Sequence, residues 1–249
     1  MNLILTAHGT RRPSGVAMIG DLAAQVSALV ERTVQVAFVD VLGPSPSEVL
    51  STLSARSHQG SSRPAIVVPA FLSRGYHVRT DLPAHVAASG HPNVTVTPAL
   101  GPSREIAWML VHKLVESGWR PGDCVILAAA GTSDRRARAD LHTTRALVEK
   151  LTGSWVDLGF AATGYPNVST AVKRARDWAR VNRGAGRVVI ASYLLADGLF
   201  QERLRASGAD LVTEPLGTHP GLAPLIANRF RSAVPHRQLG APTPATLDL

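Results

Sequence analysis

Apolar residues in this chain fall in short, dense runs, separated by longer stretches where they recur every third or fourth position. The runs at 2–7, 34–41, 65–71 and 94–98 are rich in aliphatic and β-branched residues and are bounded by Gly, Pro, Ser or Asn, which predicts strands. The stretches at 15–31, 46–57, 79–89 and 103–117 carry the helical period and predict helices. Strand and helix alternating in this way predict βαβ units, hence a parallel, doubly wound sheet with helices on both faces. In "VLGPSPSEVL", Ser45 or Ser47 is placed to cap the second helix.

The pattern then repeats. "VILAAAGTSDRRARADL" (125–141) lines up with "LILTAHGTRRPSGVAMI" (3–19), and in the same alignment Phe38 falls on Phe160. "GRVVIASYLLADGLFQERL" echoes "RPAIVVPAFLSRGYHVRTDL", with one inserted residue bringing Gly198 onto Gly75. "TPALGPSREIAWMLVHKL" and "TEPLGTHPGLAPLIANRF" match around Leu100-Gly101 and Leu216-Gly217. Four matches in order indicate two related α/β domains. The expected division is a lobe over 1–120, a degenerate repeat over 121–237 and a flexible tail over 238–249, with "SGWRPGD" as the break. The copies differ in one chemical respect: Ala130 aligns with His8, and Phe200 with His77. Imidazole chemistry is therefore confined to the first lobe.

Composition narrows the class. Hydrophobic residues make up 45% of the 249, too many for a disordered chain. No apolar run approaches the ~20 residues of a membrane span. "MNLILTAHGTRR" lacks the basic start of a secretory signal. Cys124 is the only cysteine, which excludes a disulfide framework or a thiolate metal cluster. A cytoplasmic protein with no membrane association is expected. The net charge is +8, and of 26 basic residues only Lys113, Lys150 and Lys173 are lysines. Guanidinium groups fork onto carboxylate or phosphate, so an arginine excess suits an anionic ligand, although codon bias alone would also produce it. Scattered arginines, few aromatics and no nucleic-acid motif favour a small polyanion over a nucleic acid.

The candidate chemistry lies at two strand ends. His8-Gly9 follows the first strand, and Gly75-Tyr76-His77 follows the third. In a doubly wound sheet of flavodoxin-like order, strands one and three are neighbours and ligands bind at their carboxyl ends. Both histidines would then enter one crevice. Imidazole can bind a divalent metal or take a proton near neutral pH, and two histidines hold a metal loosely, as suits a metal in transit. Asp40, ending strand two, is either a third ligand or a cap for the loop after it. His58, His85, His91, His112, His142, His219 and His236 sit on helices or in polar loops and carry no such placement.

"LILTAHGTRRPSG", "VAFVDVLGPSPSEVL" and "PAFLSRGYHVRTDLP" resemble the three signature segments of the class II tetrapyrrole chelatases, the CbiX/SirB group, in their long two-lobed form. The resemblance implies insertion of Fe2+ or Co2+ into sirohydrochlorin, on the way to sirohaem or cobalamin. The metal would be a substrate and no cofactor would be permanently bound. It also implies His8 as proton acceptor and metal ligand, His77 as metal ligand, and Leu72, Ser73, Arg74, Gly75, Tyr76 and His77 as the substrate-lining loop. The family's Phe-x-Glu reads Phe38-Val39-Asp40 here, so Asp40 stands in for a longer acid. Sirohydrochlorin is a polycarboxylate, which would give Arg11, Arg12, Arg74 and Arg79 beside the histidines, and Arg135 and Arg136 in the second lobe, a role as clamps. The rival readings are a metal or tetrapyrrole carrier without turnover and a histidine phosphatase, which uses Arg-His-Gly where this chain has Ala7-His8-Gly9. No G-x-G-x-x-G follows any strand, against a dinucleotide enzyme. A monomer and a homodimer both remain open.

Overall fold

In a computed structural model, residues 1–10, 12–55, 63–182 and 186–234 are described. Arg11, His58, His236 and the expected tail at 238–249 lie outside them. The first lobe runs β1 (Asn2–Ala7), α1 (Pro13–Val30), β2 (Val34–Phe38), α2 (Pro46–Ala55), β3 (Ala65–Pro69), a π-helical turn (His77–Asp81), α3 (Leu82–Ala88), β4 (Val94–Val96) and α4 (Arg104–Glu116). The second runs β5 (Cys124–Gly131), α5 (Arg135–Thr152), β6 (Val156–Thr163), α6 (Val168–Val181), β7 (Val188–Tyr193), α7 (Leu199–Arg205), β8 (Leu211–Val212), a 3-10 turn (Leu216–Thr218) and α8 (Leu222–Ser232).

Each lobe holds one four-stranded parallel sheet, in the orders β2-β1-β3-β4 and β6-β5-β7-β8. The two orders are the same, as the repeat requires. β1 and β3 are neighbours, with Leu5 opposite both Val36 and Val68. Every residue of β3 and of β7 is buried, as expected of strands covered by helices on both faces.

Local chemistry sets the boundaries. β2 stops at Phe38 rather than at residue 41 because the Asp40 carboxylate accepts the Val41 N–H (2.7 Å) and Val41 turns into the left-handed region (φ 70°). α2 starts with a capping box: Ser45 Oγ accepts the Glu48 N–H, and the Glu48 carboxylate accepts the Ser45 N–H (2.7 Å). Asp134 and Asn167 cap α5 and α6 with their side-chain oxygens. α1 alone among the described residues has the length and mean hydropathy (1.3) to cross a membrane. It packs instead on β2 and α8, with Ile19, Leu22 and Val26 buried.

The last helix of each lobe packs on the other lobe. α4 lies against α5 and β7, while α8 lies against α1 and β3. One apolar core therefore runs through both lobes, from Leu5 and Val68 through Leu110 and Ile226 to Val189. This exchange brings the carboxyl ends of the two sheets to face each other across a cleft of about 630 Å³.

Candidate active site between the lobes

β1 ends at Ala7 and the chain turns at once through His8 and Gly9. Gly9 has φ +91°, and a Cβ there would collide with the Asp40 carbonyl oxygen, so the turn requires glycine. The Asp40 N–H donates to the His8 carbonyl (3.2 Å), tying the ends of β1 and β2 together while the His8 ring stays exposed. From β3 the chain passes through Phe71 to Tyr76 and enters the π-helical turn at His77. Turns of this kind recur at functional sites.

The structure brings His8 and His77 together: their rings meet edge to face, with centroids 4.5 Å apart. Phe71 lies nearly parallel to the His77 ring at 6.1 Å, and Tyr76, 62% exposed, meets it edge-on. His77 Nδ1 is 2.6 Å from Asp81 Oδ2. An ionised carboxylate only accepts, so Nδ1 carries the proton and Nε2 keeps its lone pair. His8 Nδ1 likewise faces a pure acceptor, the Gly9 carbonyl (3.2 Å), which leaves its Nε2 lone pair free too.

Asp40 does not join them. Its carboxylate is engaged by the Val41 N–H, and among the described residues no group of three His, Cys, Asp or Glu side chains forms a metal site. Of the two readings of Asp40, the loop cap is the one its geometry shows, since its Oδ1 accepts the N–H of the next residue. The acid at the site is Asp81, one helical turn beyond His77. The i,i+4 spacing in "HVRTD" is the signal that would have found it.

The arginines are also differently engaged. Arg12 pairs with Glu202 (2.7 Å), Arg74 with Asp140 (2.5 Å) and Arg79 with Asp134 (2.9 Å), and all three pairs bridge the lobes. Arg74 is the most extensively engaged of the three. Asp140 is only 1% exposed and accepts both the Arg74 backbone N–H (2.9 Å) and its Nε (3.0 Å). The side-chain hydrogen bonding to Asp140, and then the carboxylate's charge, hold the guanidinium above its ordinary pKa. The N–H of Ala137, helped by Arg136 N–H and Arg79, holds Asp134 below the usual carboxylate range. Arg135 and Arg136 carry no ion pair among the described residues. Leu72, Ser73, Gly75, Tyr76 and His77 all line the cleft, although the Leu72 side chain itself is buried in the core. The facing wall comes from the second lobe, from Gly131 to Ser133 and from Tyr193 to Phe200.

A family model described as CbiX matches residues 2–117 and again 124–233, nearly the whole chain. The chain belongs to the CbiX family. A sirohydrochlorin cobaltochelatase of Methanothermobacter thermautotrophicus is 30% identical over 96 residues, a stretch covering 36% of this chain and 64% of that relative. Among solved structures, SirB from Bacillus subtilis with Fe3+ superposes with a TM-score of 0.77 at 19% identity, covering 93% of this chain and 95% of that one. The sirohydrochlorin chelatase SirB from Bacillus subtilis subspecies spizizenii in complex with cobalt gives 0.70 at 19% identity, covering 93% and 95%. CbiX, the terminal enzyme for siroheme biosynthesis in denitrifying bacteria, gives 0.66 at 18% identity, covering 94% and 100%. At these identities the likeness shows a shared two-lobed fold.

In this CbiX chain the cleft offers two imidazole lone pairs on one wall, with aromatic rings beside them. Two neutral nitrogens can take a divalent transition metal and release it again, since a closed site needs about four ligands.

Proposed function

We propose that this protein is a sirohydrochlorin chelatase, a lyase that inserts Fe2+ or Co2+ into the tetrapyrrole in sirohaem or cobalamin biosynthesis. The observation that carries the reading is the approach of His8 and His77 at the cleft between two CbiX-type lobes. Insertion replaces two pyrrolic N–H protons by one M2+, so the site must donate a metal and accept protons. His77, oriented by Asp81, serves as the steady metal ligand, because the carboxylate fixes its tautomer and makes Nε2 a better donor. His8, exposed and held only by its neighbour's carbonyl, ligates weakly and passes pyrrolic protons to solvent. The macrocycle enters edge-first between Phe71 and Tyr76 on one side and the Leu194–Phe200 wall on the other. Arg12 and Arg79 exchange their protein carboxylates for those of the substrate as it docks. The reaction takes place in the cytoplasm, with the metal as substrate and with neither nucleic acid nor membrane involved.

Anaerobic absorbance assays with sirohydrochlorin and Fe2+ or Co2+, beside a reaction without protein, test this reading. Many turnovers per protein, lost in both His8→Ala and His77→Ala, are expected. Stoichiometric binding without turnover by the folded protein would replace the enzyme with a carrier.

A further inference from the structure

We infer that the second lobe, which has no counterpart of His8 or His77, holds the His77 loop in register, with Tyr193 and Asp140 as positioning residues. The inference rests on the chelatase reading for its kinetic consequence and on geometry alone for its metal-binding one. The loop from Leu72 to His77 has no sheet partner of its own, since β3 ends at Pro69. Its backbone is held from the other lobe. The buried Tyr193 hydroxyl donates to the Leu72 carbonyl at 2.6 Å. Two residues on, Asp140 accepts the Arg74 N–H and the guanidinium. Thr144 Oγ1 stands 3.2 Å from the Tyr193 oxygen and 3.0 Å from the Asp140 carbonyl, so the two ties share one support on α5.

Each tie is built rather than incidental. A side chain at Gly101 would collide with the Leu72 carbonyl oxygen and lie 2.6 Å from the Tyr193 oxygen, so glycine there makes room for the hydrogen bond. Burial first, and then the charge of Asp140, push the Tyr193 phenol well above its ordinary range, which keeps it a donor at any working pH. Asp140 is a buried carboxylate whose neutralising partner is Arg74. Moving the loop away would leave an uncompensated charge in the core, and that is strongly unfavourable.

The internal repeat shows that the ties run one way. In the alignment of the lobes, Asp140 stands where the first lobe has Met18, and Tyr193 where it has Ala70. Met18 faces the pseudo-symmetric turn at Gly217 with an apolar thioether, and Ala70 has no group to reach across. The copy that lost the histidines carries polar groups aimed at the loop of the copy that kept them.

Tyr193→Phe removes one oxygen and keeps the packing, and Asp140→Asn keeps the shape of the second tie. Both are compared with the full-length wild type by urea unfolding, by Co2+ titration without tetrapyrrole, and by steady-state kinetics. The expected result is a rise of about fivefold in the Co2+ Kd and in KM for the metal for Tyr193→Phe, and more for Asp140→Asn. A fall in kcat alone, with the metal KM and the Co2+ Kd unchanged, would mean only lost folded protein and would overturn positioning. If the wild type binds Co2+ through His77 but shows no turnover, the chelatase reading falls and the Co2+ titration alone decides the positioning role. Co2+ binding that does not depend on His77 overturns both.

Discussion

Removing the carboxylate of Asp81 should loosen the metal site without dismantling it. The His77 Nδ1–Asp81 Oδ2 bond, at 2.6 Å, is short and charge-assisted. Hydrogen bonds to charged groups are worth about 1.5–3 kcal/mol. The two side chains are 31% and 25% exposed, so water screens the pair and the lower end, about 1.5 kcal/mol, applies. That is about tenfold in affinity, at the modest end of what losing a metal ligand's hydrogen-bond partner costs. Asp81→Ala should therefore weaken Co2+ binding about tenfold, read from the visible absorbance of the bound ion in a titration without tetrapyrrole. Asp81→Asn retains an acceptor oxygen and loses the charge, so a smaller loss of about threefold is expected. Thermal melts check that the π-helical turn survives. Asp81→Ala binding Co2+ as tightly as wild type, with an unchanged melt, would refute the idea that Asp81 sets the tautomer and basicity of His77.

Three further outcomes are expected. Gly9→Ala forces a Cβ against the Asp40 carbonyl at φ +91°, so stability should fall by about 1–3 kcal/mol in urea, with loss of the His8 position and of turnover. Burial first, then the charges of His112 and Lys113, hold His219 below its ordinary pKa, with Glu116 acting against them. His219 accepts the Gly221 N–H at Nδ1 (2.9 Å), with its Nε2 3.1 Å from His112 Nδ1, so protonating Nδ1 breaks the bond to Gly221 and this arrangement requires a neutral His219 ring. As pH drops below about 6.5, the unfolded chain takes up a proton that the folded one resists, so stability falls with acid. His219→Gln should flatten that limb in urea midpoints measured across the window. Glu202→Gln frees Arg12 from an exposed pair; stability should stay within about 1 kcal/mol. KM for the tetrapyrrole should drop in the same variant, and an unchanged KM would exclude Arg12 from carboxylate binding.

By itself, the sequence determined the parallel α/β architecture, the duplication and the two strand-end histidines. All three are local: a fully buried strand is a contiguous apolar run, a helix is a 3.6-residue period, and a residue just after a strand lies at that edge of the sheet. The order β2-β1-β3-β4 made the neighbouring strand ends an inference from fold rules, and the ring contact between His8 and His77 followed from it. The partners of the acids were not legible, because a carboxylate's partner depends on reach. Asp40 is one methylene short of Glu and turns back to the Val41 N–H, while Asp81 meets His77 through a turn wider than an α-helix. The partners of Arg12, Arg74 and Arg79 were beyond reading. A guanidinium's sign says nothing about which carboxylate will face it, and here every one belongs to the other lobe. Only the crossing of α4 and α8 brings α5 and Tyr193 against the histidine loop. Contacts made by chain crossing leave no period and no spacing in the sequence, so the tertiary structure alone decided what holds this site together.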